Sequence, residues 1–214
     1  MADNYLEKKF EEFHSSNGSG NRHKVVHSNI SLNSLLLKNR SYRGFDPSRE
    51  VSMEELKQIV EVCTKVPSGK NQQVLRFKLV YGEDAPRMLQ YTKWAGALPE
   101  LNLPFPGTEP TAFIIICSTV PENRWVGVDL GIAAQSMLLK AVEMGLNGIC
   151  IGAFNKNETI REFSLQHEPL LVLAIGKGAE NIQLTHIKEG ENQTYYRKDG
   201  VHFVPKLGLD DIVL

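Results

Sequence analysis

The spacing of apolar and polar positions divides the chain into alternating helices and strands. Over 4–13, Leu6, Phe10 and Phe13 fall on one helical face, and Asn4 caps that helix with Glu7 three residues on. A polar stretch, 15–21, leads to a second helix over 28–39, with Leu32, Leu35 and Leu36 expected to point inward. The third helix has the clearest start. Ser52 and Glu55 make a capping box, Val51 and Leu56 stand at the hydrophobic-staple positions, and Leu56, Ile59, Val60 and Cys63 form the buried stripe. Pro67, with no backbone donor, stops it.

Beyond Pro67 the period changes. Residues 75–81 read as a strand, and Asp84 is expected to cap a short helix running to about Lys93. The segment 96–110, with Pro99, Pro104, Pro106 and Pro110, is a long irregular loop of the kind that covers a site or embraces a partner. Its aromatic neighbours, Trp94 and Phe105, suit either a ligand pocket or plain packing. Residues 112–118 form a buried strand, and 124–144 a long helix closed by Gly145 at the C′ position. Apolar residues run around nearly its whole circumference, so burial on more than one side is expected, in a central core or a subunit interface. Gly127, Gly131, Ala133 and Ala134 permit close helix packing there. A strand at 147–151, a helix at 157–163 and a strand at 170–175 follow, the last ended by Gly176-Lys177-Gly178. The tail, from Tyr195 through 201–214, reads as an extended arm. The domain boundaries expected are an N-terminal helix and polar linker over 1–27 and a single domain over 28–214.

Composition narrows the function. Apolar residues make up 42% and charged residues 23% of the chain, ordinary for a globular protein. The net charge of −1 argues against a nucleic-acid or membrane-surface partner, because both select an excess of Lys and Arg. The N-terminus is too charged for a signal peptide, and the longest apolar runs are strand-sized where a membrane helix needs about 20 residues, so a cytoplasmic location is expected. Cys63, Cys117 and Cys150 are widely spaced in apolar settings and read as buried free thiols in a reducing compartment. No Cys/His spacing suggests a metal site, and His23 and His27 read as surface residues.

Two polar stretches carry candidate chemistry. Arg40-Ser41-Tyr42-Arg43 brings two guanidinium groups and a hydroxyl to a helix end, where they can grip a phosphate or an anionic ring edge, or stand as solvated charges favoured by the helix dipole. In Pro67-Ser68-Gly69-Lys70-Asn71-Gln72-Gln73, only one member is apolar, so the stretch forms a junction and not core. Gly69 lets a backbone approach a ligand closely, and Ser68, Asn71, Gln72 and Gln73 offer the donors and acceptors that an amide-rich heterocycle needs; a polar turn is the plainer alternative. Ser68 lacks the G-x-S-x-G elbow of acyl-transfer enzymes, and Gly18-Ser19-Gly20 lacks the preceding strand and third glycine of a dinucleotide fingerprint.

Taken together in order, these stretches resemble the nitroreductase-like family of FMN-dependent oxidoreductases. Arg40-Ser41-x-Arg43-x-Phe45 is similar to the family's first flavin motif and Pro67-Ser68-Gly69-x-Asn71-x-Gln73 to its second. Val128-Asp129-Leu130-Gly131-Ile132-Ala133-Ala134-Gln135 resembles its long central helix, 148–154 the segment facing the flavin's reactive edge, and Pro205-Lys206-Leu207 its phosphate-gripping tail. Val74-Leu75 replaces the family's frequent Pro-Trp, a change at a packing position. The resemblance implies an α+β fold, with a mixed, mostly antiparallel central sheet flanked by helices and the long helix at a dimer interface. It implies FMN held by Arg40, Ser41, Arg43, Pro67, Ser68, Gly69, Asn71, Gln73, Ile151, Gly152 and Lys206, with Arg197 an alternative to Lys206 at the phosphate. The flavin carries the redox chemistry, so no catalytic side chain and no metal is expected. NADH or NADPH is the implied donor, and a nitroaromatic, quinone or related compound the acceptor, in a ping-pong cycle within a homodimer whose FMN sites are shared between subunits. The alternatives are a non-catalytic flavin-binding or storage protein and a specialised reductive dehalogenase.

Overall fold

The computed structural model describes residues 30–94, 96 and 101–214. The expected helix over 4–13, the polar stretch after it, His23, His27 and the start of the second helix at Ser28 lie outside these residues. Residues 31–214 form one compact unit.

The first described helix, α1 (Leu32–Lys38), begins at Ser31, whose side chain accepts from the Ser34 N–H. It does not bury its leucines: Leu32 is 61% exposed and Leu36 is also exposed. The helix touches the outside of the long helix described below, with Asn39 Nδ2 donating to Gln135 Oε1 at 3.3 Å, and Leu32, Leu36 and Leu37 are left exposed among the described residues. A two-residue strand, β1 (Phe45–Asp46), precedes α2 (Met53–Glu61). Both halves of the Ser52–Glu55 capping box form, and Leu56 and Ile59 are fully buried. The α-helix ends at Glu61 and relaxes into a 3₁₀ turn, Val62–Thr64, before Pro67 is reached.

Next come β2 (Leu75–Tyr81), α3 (Asp84–Leu89), β3 (Ala112–Ser118) and α4 (Arg124–Glu143). Asp84 is the first residue of α3, not its cap, and the helix stops at Leu89, short of Lys93. Asn123 caps α4 by accepting from the Trp125 and Val126 N–H groups, and Gly145, at φ +77°, closes it in the left-handed conformation that favours glycine. Then follow β4 (Asn147–Ile151), α5 (Lys156–Phe163) and β5 (Glu168–Gly178).

These strands form a five-stranded sheet in which β5 pairs with β1, β3 and β4, and β3 with β2, every pair antiparallel. All seven side chains of β3 are buried because both faces of the strand are covered. Ala112, Ile114 and Ile116 meet α2 and α4, while Phe113, Ile115 and Cys117 meet Met88 of α3 and Phe163 of α5. Each buried isoleucine or phenylalanine among them contributes roughly 1.5–3 kcal/mol on removal from water. β5 runs through the glycines expected to end it. A β-carbon at Gly176 would meet the Phe45 ring, and one at Gly178 the Tyr42 ring, so glycine here makes room for packing.

α4 is long and apolar enough to cross a membrane by length and composition. Eight of its residues are instead buried, along one side that faces the sheet and α2. Of the two settings expected for this helix, a core that covers it on several sides is not what the described residues build: Trp125 and Val128 are 50% and 44% exposed, and β-carbons at Gly127 and Gly131 would meet nothing within 4 Å among them.

The tail is not a free arm. β6 (Asn181–Ile187), β7 (Tyr196–Lys198) and β8 (Val201–Leu207) build a second sheet, with β8 parallel to β6 and antiparallel to β7. Past β8 the chain leaves Leu209, Ile212, Val213 and Leu214 exposed.

Candidate functional site

The first polar stretch sits where α1 ends beside β4. Ser41 bridges Gly148 in parallel, and the Tyr42 N–H donates to Gly148 O at 3.3 Å. From this segment Arg40, Ser41 and Arg43 line a cavity of about 290 Å³, and β8 supplies Lys206 and His202 to the same cavity. Residues more than 150 positions apart thus converge. Arg40 Nη2 donates to Leu36 O at 2.6 Å and Arg43 Nη1 to Ser41 O at 3.1 Å, but the buried Nε atoms of both have no partner among the described residues. Burial pulls the Arg40 pKa below its ordinary value. The cavity thus gathers three cations, two of them with buried Nε donors unpaired among the described residues, and no carboxylate lines it, a donor set suited to a multiply charged anion.

Tyr195 lies between the two halves of this cavity. The Arg43 guanidinium is 4.6 Å from the centre of its ring, and His202 stacks with it at 5.3 Å. His202 is 2% exposed. Burial, and then the charges of Arg43 and Arg197, lower its pKa from 6.5, which keeps the imidazole neutral at neutral pH.

Arg197, the sequence alternative to Lys206, is placed elsewhere. It pairs with Glu180 and lines a neighbouring cavity of about 180 Å³, with its guanidinium 5.9 Å from the Phe105 ring. Trp94 packs among the residues around β3, its Nε1 donating to Thr92 Oγ1 at 2.7 Å.

The second polar stretch makes a separate cavity of about 410 Å³, lined by Pro67, Ser68, Asn71 and Gln73 together with Asp129 of α4. It shares no lining residue with the cationic cavity. A 3₁₀ turn at Gly69–Asn71 gives the stretch its shape. Lys70, Asn71 and Gln73 adopt φ of +52°, +55° and +49°, conformations that side chains other than glycine resist. Local bonds hold them there: Asn71 N–H to Ser68 O at 2.9 Å, Gln73 N–H to Ser68 Oγ at 3.3 Å, and Gln73 Nε2 to Asn71 Oδ1 at 3.1 Å. The Gly69 N–H donates to Asp129 Oδ1 at 2.7 Å. What comes close at Gly69 within the chain is Trp125, whose Cβ would stand 3.4 Å from an added β-carbon. Asp129 is 4% exposed, and its Oδ2 is buried without a partner among the described residues.

Ile151 is the last paired residue of β4, with a buried side chain, and Gly152 follows exposed; neither lines these cavities. All three cysteines are free thiols, as expected, but only one is fully buried. Cys117 is buried, Cys63 partly so and Cys150 exposed. Desolvation pushes the thiols of Cys63 and Cys117 up to about 11, so neither is poised as a thiolate.

Asp129, Tyr195 and His202 are site residues that the sequence did not single out. Asp129 lies within the segment likened to the central helix, and Tyr195 stands two positions before Arg197, but no local pattern reports their contacts.

The family model for the nitroreductase family matches residues 36–177, about two thirds of the chain. The chain belongs to the nitroreductase family. Solved structures share its fold at low identity. A nitroreductase family protein from Streptococcus pneumoniae TIGR4 is 15% identical over 86% of this chain and 99% of its own, with a TM-score of 0.61. A candidate NAD(P)H:FMN oxidoreductase from Staphylococcus epidermidis ATCC 12228 is 19% identical over 86% and 95%, also at 0.61. A candidate nitroreductase from Exiguobacterium sibiricum 255-15, in complex with FMN, is 19% identical over 71% and 90%, at 0.58. No curated protein matches the chain.

Proposed function

We propose that this chain is an FMN-dependent oxidoreductase that takes electrons from NADH or NADPH and passes them to a nitroaromatic, quinone or related acceptor. The observation that carries the reading is the cationic cavity, where Arg40 and Arg43 bury guanidinium nitrogens that have no partner among the described residues, beside Lys206. A phosphate fits this donor set, because it accepts several charge-assisted bonds at once. FMN, when bound, supplies the redox chemistry. Arg40, Ser41, Arg43 and Lys206 hold its phosphate. Pro67, Ser68, Gly69, Asn71 and Gln73 present neutral donors and acceptors to its ring and ribityl chain, and the backbone at Ile151 and Gly152 offers an N–H to the reactive edge. The protein needs no side-chain acid, base or nucleophile for this, and donor and acceptor use the same open face in turn.

The two cavities share no residue, which supports a site completed by a second copy, with the arginine segment from one subunit and the 67–73 turn from the other. The open apolar positions agree: Val128 beside Gly127 and Gly131 on α4, Leu32 and Leu37 on α1, and the exposed tail. An obligate interface of roughly 2,000–5,000 Å² would cover them. A cytoplasmic location belongs to the same proposal.

The test is NADH and NADPH oxidation by the FMN-loaded protein, with a nitroaromatic, a quinone and a halogenated aromatic offered singly. Turnover with either of the first two supports the reading. FMN binding without turnover would make the protein a flavin store, and turnover with the halogenated compound alone would make it a reductive dehalogenase. Failure to bind FMN would end the proposal.

A further inference from the structure

Glu180 lies just after β5, outside the residues matched by the family model, and its side chain is 9% exposed. Its carboxylate has three partners. One oxygen accepts from the backbone N–H of Arg43 and, at 3.1 Å, from that of Gly44; the other accepts from Arg197 on β7. Gly44 packs against it: a β-carbon there would stand 3.4 Å from Glu180 Cγ, in ordinary van der Waals contact. The Ala179 N–H closes the junction by donating to Gly44 O at 3.1 Å.

We infer that Glu180 is the positioning residue of the phosphate cavity. Resting on the FMN reading above, it clamps the two halves of that cavity together. One half, Arg40 to Arg43, is held through its backbone. The other, β7 and β8 with His202 and Lys206, is held through Arg197, which pairs along β7–β8 in register with His202. Arg197 is then a structural cation occupied by Glu180, and Lys206 faces the phosphate. Charge alone predicts the opposite, because a carboxylate beside a cationic site weakens anion binding and its removal would free Arg197 to help.

The experiment titrates FMN and riboflavin, which differ only by the phosphate, into apo wild type, Glu180→Ala and Glu180→Gln by flavin fluorescence. Wild type should prefer FMN. Glu180→Ala should lower the FMN-to-riboflavin affinity ratio about tenfold or more, the scale of a lost buried charged hydrogen-bond set. Glu180→Gln keeps the shape and one acceptor, so it should lower the ratio less. If the alanine variant does not fold, the glutamine variant decides. A ratio that stays level or rises in the folded variant overturns the clamp, since a general loss of structure would weaken both ligands alike. A wild type that binds FMN no better than riboflavin overturns the phosphate reading itself, and the clamp with it.

Discussion

The Arg40–Lys206 cavity and the 67–73 turn both present polar groups, but they are stabilised in different ways. The cavity is tertiary. Its cations come from the end of α1 and from β8, and the buried Nε atoms of Arg40 and Arg43 are unpaired among the described residues. The turn is local. Its strained residues are held by bonds to neighbours within five positions, and one buried carboxylate, Asp129, anchors it to α4. The first is short of negative charge and waits for a ligand that carries it. The second is nearly complete in itself and offers neutral groups of both senses. A ligand with a phosphate at one end and an amide-rich ring at the other matches that difference.

The largest expected effect is on the charge-dependent side. Arg43→Ala should weaken FMN binding about 10- to 100-fold, from the loss of roughly 1.5–3 kcal/mol of charged hydrogen bonding, while riboflavin binding changes far less. Fluorescence titration of both ligands measures this, and an equal loss for both would blur the contrast between the regions. On the other side, Asp129→Ala leaves the Gly69 N–H unpaired and should cost about 1–3 kcal/mol of stability in urea unfolding. A neutral result would mean that the turn stands without its anchor.

A pH series sharpens the contrast further. His202 has a folded pKa below 6.5, lowered first by burial, so the unfolded state binds the extra proton. Its contribution is present above about pH 6.5 and is lost as the pH falls toward the folded value. Melting temperatures from about pH 7.5 to about pH 5 should therefore fall more steeply for wild type than for His202→Gln. Parallel curves would place the acid sensitivity elsewhere. The smallest effect belongs to the turn: Lys70→Gly relieves a positive φ and should stabilise by about 0.5–1 kcal/mol net of the entropy glycine adds to the unfolded chain. Destabilisation would show that the Lys70 side chain has a contact the backbone argument ignores.

The sequence was most legible where structure is set by near neighbours. The Ser52–Glu55 capping box, the continuous apolar run of β3 and the Gly145 stop of α4 each depend on residues a few positions apart, and each formed as expected. The two polar stretches were visible for the same reason. Long-range dependence hid the rest. β6 alternates weakly, with Gln183, Thr185 and His186 among its few apolar residues, and becomes a strand only because β8 pairs with it. The glycines of β5 resemble a strand end until the Phe45 and Tyr42 rings account for them. Leu32 and Leu36 follow a helical period that specifies a buried face, but not whether the cover comes from the same chain. Arg197 pairs with Glu180 while Lys206 lines the cavity, a difference that no local pattern in the sequence reports.

In the function proposed above, these two unlike regions complete one FMN site across two subunits. The most direct test pairs two defective chains, one carrying Arg40→Ala with Arg43→Ala and the other Ser68→Ala with Asn71→Ala, purified as a verified heterodimer through different tags. Each homodimer should bind FMN poorly at both sites. The heterodimer should regain one site in two at wild-type affinity, because one of its sites draws intact arginines from one chain and an intact turn from the other. A heterodimer that binds FMN no better than the homodimers would contradict the account and place each site within a single chain.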